Sequence, residues 1–157
     1  MTGVQTCALP IYTYGHLAGD FVLQETSRRL KNALRTYDSI GRYGGEEFLI
    51  VVPEAAEGEL CQLAERLRKA IEGESIRVGE NEIRITLSIG ATIAPSGAPL
   101  GDDLQCNVIA TADAALYNAK GFGRNRFIYG DRQPEQAVQH RSQGYPQTYT
   151  FPSSGSV

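Results

Sequence analysis

The 157-residue sequence predicts an α/β sandwich, with helices packed on a mostly antiparallel sheet. Three observations carry that expectation. Apolar residues recur every three or four positions in three separate segments. Glu82 to Ala94 alternates, with Ile83, Ile85, Leu87, Ile89, Ala91 and Ile93 on one face and Arg84, Thr86, Ser88 and Thr92 on the other. Two short apolar runs also flank the pair Gly44-Gly45, as in a β-hairpin.

Each element follows from its own pattern. From Leu17 to Tyr37, Val22, Thr26, Leu30, Ala33, Leu34 and Tyr37 form one stripe, opposite Arg28, Arg29, Lys31, Asn32 and Arg35. This is an amphipathic helix. Ser39 to Tyr43 and Glu47 to Val52 are the hairpin strands, and Pro53 ends the second. Leu60, Leu63, Ala64, Leu67 and Ile71 mark a second helix. Glu82 to Ala94 reads as one long strand. Leu104, Val108, Ala112, Ala115, Leu116 and Ala119 mark a third helix, closed by Gly121. Arg126 to Tyr129 is a last short strand. On this pattern all three helices pack on a sheet that contains both the hairpin and the long strand.

The length suits one domain with a real core. The two ends are expected to lie outside it. Residues 1–11, MTGVQTCALPI, show no helical or strand period and resemble the translation of a sequencing-adapter read, with a disordered leader as the alternative. Residues 131–157 are rich in Gln, Ser, Pro, Gly and Tyr, bury little apolar surface, and read as a disordered tail. The working domain is therefore residues 12–130. Net charge is only -3, so no basic surface advertises nucleic acid as a partner. No segment has the ~20 apolar residues of a membrane span. Cys7, Cys61 and Cys106 are an odd number at wide spacings, unlike a disulfide framework or a zinc site, and fit a reducing cytoplasm.

Chemistry concentrates at Gly44-Gly45-Glu46-Glu47-Phe48, the hairpin tip. Two glycines let backbone approach a bulky ligand, and their amides can meet phosphate oxygens. Two adjacent carboxylates offer hard oxygen ligands of the kind Mg2+ shares with substrate phosphates. Alone, this pattern is also that of a polar turn.

Its neighbours make it specific. Gly15-His16-Leu17-Ala18-Gly19-Asp20 opens the first helix, and Arg42-Tyr43 precedes the glycines. Ser88-Ile89-Gly90 lies in the long strand. Ala112-Asp113-Ala114-Ala115-Leu116-Tyr117, Ala119-Lys120 and Gly123-Arg124-Asn125 close the third helix. This ordered set, spanning about Tyr14 to Phe127, resembles the GGDEF family of diguanylate cyclases.

The resemblance implies a nucleotidyl-cyclase, polymerase-palm-like sheet with packed helices, working as a homodimer. Each subunit binds one GTP. Each 3′-hydroxyl attacks the α-phosphate of the other nucleotide, giving cyclic di-GMP and two pyrophosphates with Mg2+ (or Mn2+). Glu47 matches the metal-coordinating carboxylate. Glu46 matches a position that assists metal binding or deprotonates the hydroxyl. Gly44 and Gly45 match the turn against the nucleotide, Asp20 a guanine contact, and Lys120 and Arg124 phosphate-binding cations. Plainer roles stay open. Asp20 suits a first helical turn, and Lys120 and Arg124 suit a helix C-terminus. His16 reads as a helix-start residue, Leu116 and Tyr117 as core, and His140 has no assigned role.

Arg35-Thr36-Tyr37-Asp38 is separated from Gly44 by five residues. This R-x-x-D resembles the family's inhibitory site for cyclic di-GMP, with Arg66 as a further arginine. The alternative is an i, i+3 ion pair at a helix end. The departure from the family is at the front. An acidic strand of the D-x-D-x-F-K type, followed by Asn-Asp, is absent, and no Asp or Glu precedes Asp20. The first strand is accordingly expected to be missing, leaving its neighbours without partners. Two functions follow: a diguanylate cyclase domain whose present chain is poorly active, or a catalytically silent module that binds GTP or cyclic di-GMP as a receptor. Either would be cytoplasmic, with any membrane anchor or sensory segment upstream.

Overall fold

The computed structural model describes residues 2–6, 16–96 and 101–130. The elements run β1 (Thr2–Thr6), α1 (His16–Ala33), β2 (Ser39–Gly44), β3 (Glu47–Val51), α2 (Glu57–Glu72), β4 (Ile76–Val78), β5 (Asn81–Ile83), β6 (Leu87–Ala91), α3 (Asp102–Gly121) and β7 (Phe127–Tyr129). Five strands form one sheet in the order β2-β3-β1-β6-β7, antiparallel except for the parallel β6–β7 pair. The expected α/β class and mostly antiparallel sheet are therefore present.

The front of the chain requires a correction. Thr2–Thr6 is a strand, and it fills the central slot between β3 and β6. Residues 1–11 were expected to lie outside the fold, with the first strand missing. A slot between two strands presents rows of unpaired N–H and C=O groups, and a backbone ladder asks little of side chains. Thr2, Val4 and Thr6 are good strand formers. Five residues are too few for a period to be read.

The two faces of the sheet bury different helices. Phe48 and Ile50 of β3 and Leu87 and Ile89 of β6 meet Val22, Leu23 and Leu30 of α1 and Leu63, Ala64, Leu67 and Ile71 of α2. On the opposite face α3 lies directly on β6. A Cβ at Gly90 would collide with the backbone of Ala112 and Leu116, so only glycine permits this approach. Both faces of β6 are thus covered, and all five of its residues are buried, Ser88 included. The polar face expected for the long strand is a second packing face.

Three further expectations are corrected. Glu82 to Ala94 is not one strand: Asn81–Ile83 pairs with Ile76–Val78 in a separate ribbon, and the sheet strand starts at Leu87. Gly79, at φ +61°, supplies the left-handed turn that closes the ribbon. Ile83 and Ile85 are still buried, because the chain stays over the same core. The first helix stops at Ala33 rather than Tyr37. There the Asp38 carboxylate accepts the Arg35 backbone N–H at 2.8 Å, an Asx-type turn that competes with the helix. Tyr37 and Tyr117 are exposed, not core.

Side chains fasten α1 and α2. Glu59 accepts the Ala56 N–H at 3.0 Å at the start of α2. Arg29 donates to the carbonyls of Glu74 (2.6 Å) and Ser75 (3.0 Å), tying α1 to the segment after α2. Glu25 orients Arg29 at 2.9 Å and pairs with Arg28 at 2.7 Å. Hydrogen bonds from Arg28 and then Arg29 lower the Glu25 carboxyl to about 2. Among the described residues no helix is long and apolar enough to cross a membrane. Cys61 and Cys106 lie on α2 and α3 as free thiols. Residues 131–157 and His140 lie outside the described residues.

Two stability measurements follow. Gly90→Ala should destabilise the fold by about 3 kcal/mol in denaturant unfolding, because rigid backbone and no flexible side chain stands in the way. Because the Glu25 pKa is depressed on folding, its contribution is present above the unfolded value of 4.5 and is lost as pH falls toward about 2. Glu25→Gln should therefore lower stability by about 1 kcal/mol at pH 7 and flatten its pH dependence across that window.

Candidate nucleotide site

The hairpin tip is shaped by its own residues. The β2–β3 register shifts between Arg42 and Gly44, a bulge that turns the tip away from the regular ladder. Gly45 takes φ +25°, and Arg42 Nε donates to the Gly45 carbonyl at 2.8 Å. Gly44 and Gly45 are exposed, while Glu46 and Glu47 are half-buried. One Glu47 carboxylate oxygen lies 3.9 Å from where a Gly44 Cβ would stand, an ordinary van der Waals distance.

The register places this tip in a row with other expected residues. Gln5 is opposite Glu47 on one side of β1 and opposite Ser88 on the other. Strands are about 4.8 Å apart, so Glu47 and Ser88 are about 10 Å apart on one face. Ser88 Oγ accepts the backbone N–H of Asn125 at 3.2 Å. The Gly123-Arg124-Asn125 turn is thereby fixed at the same end of the sheet as the hairpin tip. Lys120 is half-buried one turn earlier, and Arg124 is exposed. Neither side chain has a hydrogen bond or ion pair among the described residues.

That turn is unusual backbone. Gly123 (φ +106°), Arg124 (+61°) and Asn125 (+47°) are successive left-handed residues. Each non-glycine of this kind costs on the order of 1 kcal/mol. The offsetting contacts are visible. Arg124 N–H caps the Ala119 carbonyl at 3.0 Å. The Asn125 amide donates to Glu72 at 2.6 Å and accepts from Arg68 at 2.9 Å. Arg68 also forks onto Glu65 (2.7 Å) and reaches Glu72 (2.6 Å). These contacts raise the Arg68 pKa; the Asn125 bond, then Arg68, lowers Glu72.

Asp20 lines a cleft of about 560 Å³ between α1 and β2. Leu23, Gln24 and Ser27 of α1 share its wall, with Ile40, Gly41 and Arg42 of β2 and Phe48 below. The volume suits a small organic ligand. Gln24 and Ser27 were not singled out from sequence. Their only signal was helical spacing, since i+4 and i+7 from Asp20 share its face.

The R-x-x-D residues and Arg66 lie around the end of α1. Arg66 Nε donates to the Ala33 carbonyl at 3.0 Å, at the end of α1. Asp38 does not form the i, i+3 side-chain pair with Arg35 that was the alternative reading. It caps the Arg35 backbone, and its other oxygen, Oδ1, is buried without a hydrogen-bond partner. The Arg35 guanidinium instead donates to Tyr37 Oη at 3.0 Å and stands 3.7 Å from Glu59.

An α/β domain is the class these features define, with helices on both faces of its sheet and a glycine-carboxylate hairpin beside a cleft. A family profile described as "Diguanylate cyclase, GGDEF domain" matches residues 11–126, and the chain belongs to that family. It is 39% identical over 116 residues to diguanylate cyclase A of Treponema denticola, covering 73% of this chain and 30% of the relative. It is 40% identical over 121 residues to diguanylate cyclase DgcZ of Escherichia coli, covering 77% and 39%. The chain thus spans between about a third and two fifths of these relatives. Among solved structures it is similar to diguanylate cyclase SiaD of Pseudomonas aeruginosa, solved with its activator SiaC (TM-score 0.74, 32% identity, 82% of this chain and 48% of that one). It is also similar to the active GGEEF domain of a diguanylate cyclase from Vibrio cholerae (TM-score 0.73, 26% identity, 84% and 82%).

Proposed function

We propose that this domain carries a diguanylate cyclase half-site, in which two subunits each present one GTP and condense them to cyclic di-GMP. The observation that carries the reading is the sheet row. Glu47 and Ser88 flank β1 in register, and Ser88 holds the turn that bears Arg124. In this reading the hairpin carboxylates and the Lys120 and Arg124 cations approach the triphosphate from two sides. Phosphoryl transfer needs positioning and fixed charge more than covalent chemistry.

Each residue has a part in this reading. Asp20, with Gln24 beside it in the cleft, accepts hydrogen bonds from the guanine edge. Gly44 and Gly45 let backbone amides approach phosphate. Lys120 and Arg124 neutralise phosphate oxygens. Among the described residues no group of three or more His, Cys, Asp or Glu is poised for a metal ion. Glu47 and Glu46 would hold Mg2+ (or Mn2+) together with the nucleotide phosphates, one or two carboxylates being what such an ion takes from protein. Such an ion would offset charge on the phosphates. In this reading Glu46 assists metal binding or takes the proton of the 3′-hydroxyl.

The strand in the central slot has no carboxylate, so the metal ligands reduce to the hairpin pair. The chain as it stands should therefore form cyclic di-GMP very slowly from GTP and Mg2+. Replacing residues 1–11 with a D-x-D-x-F-K strand followed by Asn-Asp should raise turnover at least 100-fold. Glu47→Ala in that background should abolish it, with product quantified by mass spectrometry. Robust turnover by the unaltered chain would refute the role given to the missing carboxylates. Failure of the acidic-strand version to cyclise while it still binds GTP would favour the receptor reading.

Product control is the second part of the proposal. Arg35 and Asp38 lie just before β2, Arg66 donates to the Ala33 carbonyl at the end of α1, and the hairpin tip is at the far end of β2, about 17–20 Å away. Arginines fork onto phosphate or guanine edges, and Asp38 Oδ1 is a buried acceptor awaiting a donor. Cyclic di-GMP should bind there without competing with GTP. Arg35→Ala should weaken that binding at least tenfold by calorimetry and leave GTP binding unchanged. Unaltered isotherms for Arg35→Ala and Asp38→Ala would reduce the site to a helix terminus.

A further inference from the structure

We propose that Arg68 and Asn125 are positioning residues for nucleotide phosphates: they hold the turn bearing Arg124, and through it the end of α3 bearing Lys120, in binding geometry. The inference rests on the nucleotide-site reading above. It begins from a backbone that does not favour its own shape. Three successive residues, Gly123 to Asn125, have positive φ, and only the first is glycine. Left alone, such a segment relaxes toward ordinary right-handed or extended conformations.

What opposes relaxation comes from outside the turn. Asn125 is fastened three ways, each to a different partner. Its backbone N–H donates to Ser88 Oγ of β6 at 3.2 Å, its side-chain amide donates to Glu72 of α2 at 2.6 Å, and its side-chain oxygen accepts from Arg68 at 2.9 Å. Asn tolerates the left-handed region better than other non-glycine residues, and its amide can donate and accept at once. Arg68 has only 15% of its side chain exposed and is itself held by Glu65 and Glu72. The anchor is therefore rigid before the turn meets it.

The neighbouring side chain has the opposite character. Arg124 is exposed and makes no side-chain hydrogen bond among the described residues, while its backbone is pinned by the Ala119 carbonyl. A fixed backbone under an uncommitted guanidinium suits a ligand-binding cation, because less freedom is lost when the ligand arrives. Neither Arg68 nor Asn125 need touch the nucleotide. Their effect is felt where phosphate charge is felt and nowhere else in the ligand.

That separation gives the test. Binding of GTP with Mg2+ and of guanosine to the whole 157-residue chain is followed by NMR titration. Asn125→Gly keeps the backbone conformation available and removes the amide contacts; Arg68→Met removes the anchor. Both should lower GTP affinity about tenfold and leave guanosine affinity within about twofold. Glu72→Gln, which keeps an acceptor for the Asn125 amide, should bind GTP closer to wild type than Glu72→Ala does. If Arg68→Met does not fold, Asn125→Gly carries the measurement. Unchanged GTP affinity in Asn125→Gly overturns the inference, as does an equal fall for guanosine. Arg124→Ala and Lys120→Ala separate the two levels. If they weaken GTP binding while Asn125→Gly does not, only the positioning role fails; if they have no effect, the phosphate-site reading fails with it.

Discussion

Ser88-Ile89-Gly90 is the stretch on which the rest of this structure depends, because it is tightly packed in both directions at once. Ile89 points into the core beneath α1 and α2. Gly90 admits the α3 backbone so closely that no side chain fits between. Ser88 receives the N–H of Asn125. Close packing transmits position with little slack. Three consecutive residues therefore fix the core layer, the helix on the far face and the turn that carries Arg124.

The same stretch shows why the family's S-I-G triplet is informative although none of its residues is chemically reactive. Glycine is required by distance, isoleucine by burial, and serine by an unpaired backbone donor. The functional groups stand around this frame. Glu46 and Glu47 come from a hairpin twisted by a bulge, Asp20 from the first turns of α1, and Lys120 and Arg124 from the end of α3. Their separation along the chain is large, and strand register sets Glu47 and Ser88 on either side of β1.

The other end of the β2–β3 hairpin has its own polar cluster. Arg66 closes the C-terminus of α1 by donating to Ala33, while Asp38 folds the connection into β2. Two residues beyond Arg66 on the same helix, Arg68 anchors the Gly123–Asn125 turn. One rigid helix thus contacts both polar regions.

The sequence by itself determined the α/β class, the stripes of α1, α2 and α3, the glycine-carboxylate hairpin and the residues that carry the family's chemistry. Periodicity, turn chemistry and short motifs are local, and each was sufficient on its own segment. Tertiary structure decided what local signals cannot encode. It put Thr2–Thr6 in the central slot, where an open ladder on both sides outweighed a sequence with no legible period. It divided Glu82 to Ala94 between a ribbon and the sheet, since alternation looks the same in either. It closed the end of α1 at Ala33, whose carbonyl accepts from Arg66 of α2. It brought Gln24 and Ser27 beside Asp20, and Arg68 and Glu72 beside Asn125, since a cleft or a network exists only once two elements have packed.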